Sequence, residues 1–179
     1  MKVMNLKKSR KWMQVIILGA VLILGGWTII NGLTQDSAQA KPGNEAPEFE
    51  LVGLDGEIHN LSNYRGKAVV VNFWGTFCEP CREEMPDIQS QYEKWSDDEV
   101  VFLGLNLGES RVTAQNFVNQ MKLTFPILLD NQRMVARNYG ITHYPSTVFI
   151  RPDGKIDHIR VGLMDEQYIE DSVKKLVGS

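Results

Sequence analysis

The chain of 179 residues holds only two cysteines and three histidines. It also lacks internal repeats and low-complexity blocks. Two cysteines cannot make the dense disulfide scaffold of a small secreted module. They fall short of a four-thiolate zinc site, and the histidines do not cluster to complete one. A domain of this size buries enough apolar surface to stand without cross-links. The pair Cys78 and Cys81, in "FWGTFCEPCREEMP", is therefore expected to be reactive rather than structural.

Positive charge is scarce beyond the first residues. Five of the 19 basic residues (Lys2, Lys7, Lys8, Arg10 and Lys11) open the chain, leaving 14 against 22 acidic ones, a balance of -8. An acidic body with no aromatic-studded basic stripe repels nucleic acid, and that class of partner is excluded.

Charge is missing altogether from Trp12 to Leu33, around "VIILGAVLILGGWTII". Such a span is long enough for a bilayer core of about 20 residues. Basic residues before it and acids after it place the N-terminus in the cytoplasm. The expected organisation is a basic cytoplasmic N-terminus (1–11), a transmembrane anchor or uncleaved signal (12–33), a tether (34–46) and a folded domain (47–179). A cleavable signal peptide is the alternative, since "AQA" at Ala38 to Ala40 fits a small-x-small cleavage site. That site lies about 8–10 residues beyond the apolar run, farther than such cleavage usually falls. Either way the body is outside the cytoplasm, on a single-pass cell-membrane anchor or released.

Beyond the tether the residues are patterned. "APEFELVGLDGEIHNL" predicts two short strands around Asp55-Gly56, and "SNYRGK" a turn. Lys67 to Trp74 is a continuous β-branched run, the mark of a strand buried on both faces. Residues 79–95 show helical spacing, with Met85, Ile88, Tyr92 and Trp95 on one face. Val100 to Leu107 predicts a second central strand. Ser110 caps a helix through Met121, with Val112, Phe117, Val118 and Met121 as core contacts. "FPILLD" predicts a strand, 132–139 a short helix, and "PSTVFI" with "KIDHIRVG" an antiparallel hairpin. Asp165 caps a last helix through Val177. Strands alternating with helices, then a hairpin and helix, imply an α/β sandwich with a mixed central sheet and flanking helices. His59 and His158 are expected at exposed positions.

The cysteines fall where a buried strand ends and a helix begins, where open α/β sheets place their chemistry. A helix N-terminus carries about half a positive charge and unpaired N–H groups, which favour a thiolate. Cys78 is thus the expected nucleophile, and Cys81, three residues on, the resolving thiol. Pro80 has no N–H to lose in a first turn. Glu79 opposes a second negative charge beside it, leaving Cys78 less acidic and the pair leaning towards a reductant.

"WGTFCEPC" after a strand, with a later "HYPSTVFI", resembles the thioredoxin superfamily over about residues 44–177. "APEFELVGLDG", "LSNYRGK" and "VVNFWGTFCEPCREEMP" look more narrowly like its membrane-anchored, ResA-type branch. The resemblance implies a thioredoxin-like fold, no cofactor and no metal. It also implies a monomeric, exported thiol–disulfide oxidoreductase that reduces the haem-binding Cys-x-x-Cys-His site of apocytochrome c during cytochrome c maturation. A membrane thiol-relay protein would supply its electrons. By the same resemblance Pro145 is cis, leaving the Tyr144 backbone to pair with a client strand, and Tyr144, Pro145, Glu79 and Pro80 face the client. Glu84 matches the glutamate that handles protons beneath the cysteines, sharing a helix face with Cys81, whereas Glu83 points elsewhere. Where much of the superfamily has Trp, this chain has Phe77. His143, two residues before Pro145, is a further candidate for stabilising a thiolate.

Three other readings compete. A reductase of envelope or spore-wall enzymes would keep the chemistry and change the client. A Cu(I)-binding chaperone would use both thiolates and His143, although that family separates its cysteines by three residues. A peroxidase of the peroxiredoxin type needs Pro and Thr seven and three residues before the reactive cysteine, where this chain has Val71 and Gly75.

Overall fold

The β-branched run Ala68–Trp74 forms a strand in which all seven residues are buried. The computed structural model describes Met13 and residues 16–22, 24–27, 40–95 and 99–178. In chain order the elements are β1 (Glu50–Val52), β2 (Ile58–Asn60), a 3₁₀ turn (Leu61–Tyr64), β3 (Ala68–Trp74), α1 (Glu79–Trp95) and β4 (Val100–Leu107). Next come α2 (Arg111–Met121), β5 (Ile127–Asp130), α3 (Met134–Asn138), β6 (Ser146–Ile150), β7 (Ile156–Val161) and α4 (Glu166–Val177).

The main sheet has the order β5-β4-β3-β6-β7. β3, β4 and β5 run parallel, while β6 is antiparallel to both β3 and β7. This is the mixed sheet that the alternating pattern predicts. β1 and β2 make a separate hairpin, joined to the sheet edge through a Gly53–Leu128 bridge and a bond from Leu54 N to Ile127 O.

Side chains alternate across each strand, so the sheet carries a core on each face. On one face Val70, Trp74 and Phe149 pack against Met85 and Ile88 of α1, Phe117 of α2 and Ile169 and Val173 of α4. On the other, Val71, Phe73 and Val148 pack against Val135 and Ala136 of α3 and against Phe49 and Tyr139. Each fully buried Leu, Ile or Phe adds about 1.5–3 kcal/mol, so two such faces supply most of the driving force. Gly104 on β4 lets the layers close. A Cβ there would lie 2.7 Å from Ile127 Cδ1, 2.9 Å from Phe125 Cε2 and 3.1 Å from Trp74 Nε1.

The predicted caps are present. Thr113 N donates to Ser110 Oγ (3.1 Å) and Tyr168 N to Asp165 Oδ1 (2.8 Å). Val112 is a correction: expected in the core, it is 68% exposed. The buried stripe of α2 runs through Ala114, Phe117 and Val118, and Val112 is out of phase with that spacing.

His59 and His158 are a second correction. His59 is hydrogen-bonded to Tyr64 Oη (2.6 Å) and Asp55 Oδ2 (2.9 Å). His158 stacks on Phe149 at 4.3 Å between ring centroids and is hydrogen-bonded to Asp157. Both are half-buried, because a flat ring with two polar edges covers apolar surface while its nitrogens find partners.

Residues 1–38 and 39–179 form two separate units. In the first, Met13, 16–22 and 24–27 are helical. The rest of the span expected at 12–33 lies outside the described residues, and no helix among the described residues is long and apolar enough to cross a membrane. In the second, Ala40 and Ala46 are buried, Gly43 N donates to Ile156 O, and Ile156 N to Asn44 O. The chain from Gly43 to Ala46, expected as the end of a tether, thus pairs with the start of β7 and the turn before it.

Candidate active site

Cys78 follows β3 by four residues and sits immediately before Glu79, the first residue of α1. Its carbonyl accepts the first helical bond, from Arg82 N (3.2 Å). Its sulfur accepts a bond from Cys81 N (3.3 Å). Cys78 is therefore the N-cap of α1, with sulfur where Ser or Asp oxygen usually stands. Pro80 lies in the first turn and offers no N–H there. The Cys81 N–H and the helix dipole both aim at Sγ of Cys78, which favours negative charge on that atom.

The two sulfurs are joined in a disulfide, with a Cα–Cα distance of 5.2 Å. Cys78 is 8% exposed and Cys81 wholly buried, so an incoming group meets Cys78 first. That asymmetry separates an outer from an inner sulfur.

Glu84 lies one helical turn beyond Cys81 and is also wholly buried. Its Oε1 accepts from Asn72 Nδ2 (2.7 Å) and its Oε2 from Met164 N (3.2 Å). Asn72 Nδ2 also donates to Thr147 Oγ1 (2.9 Å), which ties α1, β3 and β6 together beneath the disulfide. Burial lifts the pKa of Glu84 from 4.5 to about 7, the repulsion of Asp87 adds to it, and the bonds from Asn72 and Met164 hold it down. Desolvation outweighs both bonds. A carboxyl group with this pKa takes up and releases protons near neutrality. Glu83 is exposed, as its position on the helix requires.

The Tyr144–Pro145 bond is cis, and Pro145 is buried. Tyr144 is half-buried, with the Phe77 ring edge-on to it at 6.3 Å. Phe77 is 58% exposed. Its ring folds over Gly75, where any Cβ would come within 2.3 Å of Cε1. The aromatic before the first cysteine thus packs on Tyr144 and on bare backbone. Glu79 has a side chain 76% exposed and 4.0 Å from Arg82, so solvent and that cation screen its field at Cys78. His143 is exposed and hydrogen-bonded to Thr142 Oγ1.

Three site features escaped the sequence pattern. Asn72 and Thr147 sit inside apolar strands and meet Glu84 only through the fold. Glu109 accepts from Thr76 N (2.8 Å), from Thr76 Oγ1 and from Asn106 Nδ2 (2.7 Å), clamping the loop that leads into Cys78. Nothing in the spacing links Thr76 to a carboxylate 33 residues away.

Residues 42–159 match the AhpC/TSA family. The thiol-disulfide oxidoreductase ResA of Bacillus subtilis is 35% identical over 165 residues, 92% of each chain. ResA of Halalkalibacterium halodurans is 36% identical over 92% of this chain and 94% of its own. Among solved structures, a thioredoxin-family thiol:disulfide interchange protein from Chlorobium tepidum superposes with a TM-score of 0.70 at 27% identity, covering 78% of this chain and 99% of that one. StoA from Bacillus subtilis gives 0.64 at 27%, covering 71% and 96%. With a thioredoxin-like fold and a disulfide-bonded cysteine pair at the head of α1, the chain belongs to the AhpC/TSA family, among the ResA-type thiol–disulfide oxidoreductases.

Proposed function

We propose that this protein is an extracytoplasmic reductant that opens the disulfide of the Cys-x-x-Cys-His site of apocytochrome c before haem attachment. The observation that carries the reading is the unequal pair: Cys78, 8% exposed, at a helix N-terminus, and Cys81 wholly buried one helical turn before Glu84, a carboxyl group of pKa about 7. The similarity to ResA-type proteins supports the choice of client. The uncharged stretch at 12–33, behind a basic N-terminus, supports a membrane anchor with the N-terminus in the cytoplasm.

In the proposed cycle the Cys78 thiolate attacks one sulfur of the client disulfide, forming a mixed disulfide and releasing the client's other thiolate. Glu84 takes the proton of Cys81. The Cys81 thiolate then attacks Sγ of Cys78, closing the internal disulfide and expelling the second client thiolate, which is protonated. Two electrons pass to the client, and a membrane thiol-relay protein returns two to the pair. Tyr144 and Pro145 hold the client strand beside Cys78, where Glu79 and Pro80 also face it.

Replacing Cys81 by Ala removes the resolving step and should accumulate a client covalently bound through Cys78. Recovery of that adduct from cells and mass identification of the partner tests the reading. An apocytochrome peptide supports it. A different disulfide-bearing protein would reassign the client, and no adduct would overturn the roles of the two cysteines.

A further inference from the structure

The turn that delivers Cys78 is pinned along its length. Cys78 N donates to Gly75 O (3.2 Å), and the Phe77 ring lies over Gly75 and edge-on to Tyr144. Thr76 is held from a neighbouring strand: its N–H and its hydroxyl both donate to Glu109, two residues beyond β4. Asn106, wholly buried and in register with Trp74 at the end of β3, donates from Nδ2 to the same carboxylate (2.7 Å). Three donors thus fix one half-buried acid against the turn that carries the outer sulfur.

Reduction must separate the two sulfurs. Cys81 is wholly buried within α1, so Cys78 and the turn before it take up the movement. Tying that turn to β4 keeps Cys78 close to Cys81, and proximity favours the closed disulfide over the open dithiol. Charge acts in the same sense. A carboxylate beside the turn opposes a thiolate on Cys78. A reduced form whose thiolate is not stabilised gives up its electrons more readily. Glu79, next to Cys78 in the chain, is a weaker source of that field, with a side chain 76% exposed and 4.0 Å from Arg82. Glu109 is less open to solvent and less screened. The remaining charged and titratable groups around the turn have other partners or places. Arg111 of α2 donates to Gly53 O (2.7 Å) and Leu54 O (2.8 Å), and Arg133 packs against Gly108. Glu84 is bonded to Asn72 and Met164, Tyr144 meets Phe77, and His143 is bonded to Thr142.

We propose that Glu109 is a positioning residue for the redox pair: it sets Cys78 through Thr76, opposes its thiolate and makes the pair more reducing. The proposal rests on the reading of Cys78 as the outer, attacking sulfur.

The test equilibrates the full chain with glutathione at about pH 8, where reactive thiols are partly ionised. Each reduced protein passes two electrons and two protons to glutathione disulfide, giving two glutathione thiols and the closed Cys78–Cys81 bridge. Glu109→Gln keeps the size and removes the charge. Its equilibrium constant for oxidation should be roughly ten-fold below that of the wild type, a rise in potential of about 30 mV. The midpoint pH for alkylation of Cys78, read in a Cys81→Ala background, should move to the acid side. Glu109→Asp retains the charge and should return that midpoint towards the wild type. Glu79→Gln should move both readouts less than Glu109→Gln does. A lower melting temperature in Glu109→Gln with midpoint and equilibrium unmoved would leave Glu109 a support of the fold alone and overturn the proposal. A larger response from Glu79→Gln would overturn it too. In both cases the oxidoreductase reading stands, whereas a wild type that does not exchange with glutathione would sink that reading and the proposal together.

Discussion

Asn72 donates a hydrogen bond from Nδ2 to Oε1 of Glu84 over 2.7 Å, and neither side chain reaches solvent. The bond links the central strand to the helix that carries both cysteines. It favours the charged form of Glu84 against the burial that disfavours it. Replacing Asn72 by Ala should therefore push the Glu84 pKa above its present value of about 7. The pH–rate profile of disulfide exchange should move in the alkaline direction. A profile that stays put would show that Glu84 does not set it.

Glu84→Gln keeps the shape and removes the titration. General acid–base assistance is commonly worth about 10²–10⁴-fold. The variant should slow the resolving step by roughly a hundred-fold or more and abolish the inflection near pH 7. Stopped-flow measurement of mixed-disulfide decay separates that step from the first attack.

Stability should follow the same proton. The pKa of Glu84 is raised on folding from 4.5 to about 7, so between these values the folded chain holds a proton that the unfolded chain has released. The contribution is complete below pH 4.5 and is lost as pH climbs through 7, a change of roughly 3 kcal/mol. Urea unfolding at about pH 5 and about pH 8 should show Glu84→Gln gaining on the wild type at the higher pH. Parallel behaviour of the two proteins would contradict the assignment.

Gly104→Ala tests the packing beneath the site. The added methyl meets Ile127, Phe125 and the indole of Trp74 at 3.1 Å or less. Overpacking of this kind costs about 1–3 kcal/mol, and a thermal melt should show the loss. The closest approaches are to Ile127 Cδ1 (2.7 Å) and Phe125 Cε2 (2.9 Å), ahead of Trp74 Nε1 (3.1 Å), so these two side chains must shift first.

Much of this architecture is legible in the residues themselves. The run ending at Trp74 reads as a buried strand because no charge interrupts it. Glu79–Trp95 reads as a helix because apolar residues recur at its period. Ser110 and Asp165 announce their helices by side chains that cap them. The pairing of Cys81 with Glu84 on one face comes from a separation of three. The hidden parts depend on contacts between distant segments. Asn72 looks like an interruption in "VVVNFW" until Glu84 and Thr147 arrive beside it. Glu109 looks like a solvated loop acid, yet it holds Thr76 in place. Val112 reads as core by its type, whereas its phase on α2 turns it outwards. The pairing of residues 43–46 with the start of β7 has no local signal either, since Gly43 and Asn44, framed by Pro42 and Pro47, read as linker.

The most direct measurement mixes the reduced protein with an oxidised peptide carrying the apocytochrome Cys-x-x-Cys-His sequence and follows both by mass. Each equivalent of peptide should gain two hydrogens as one equivalent of protein closes Cys78 to Cys81, by way of a transient adduct on Cys78. A peptide that keeps its disulfide while the protein keeps both thiols would contradict the account.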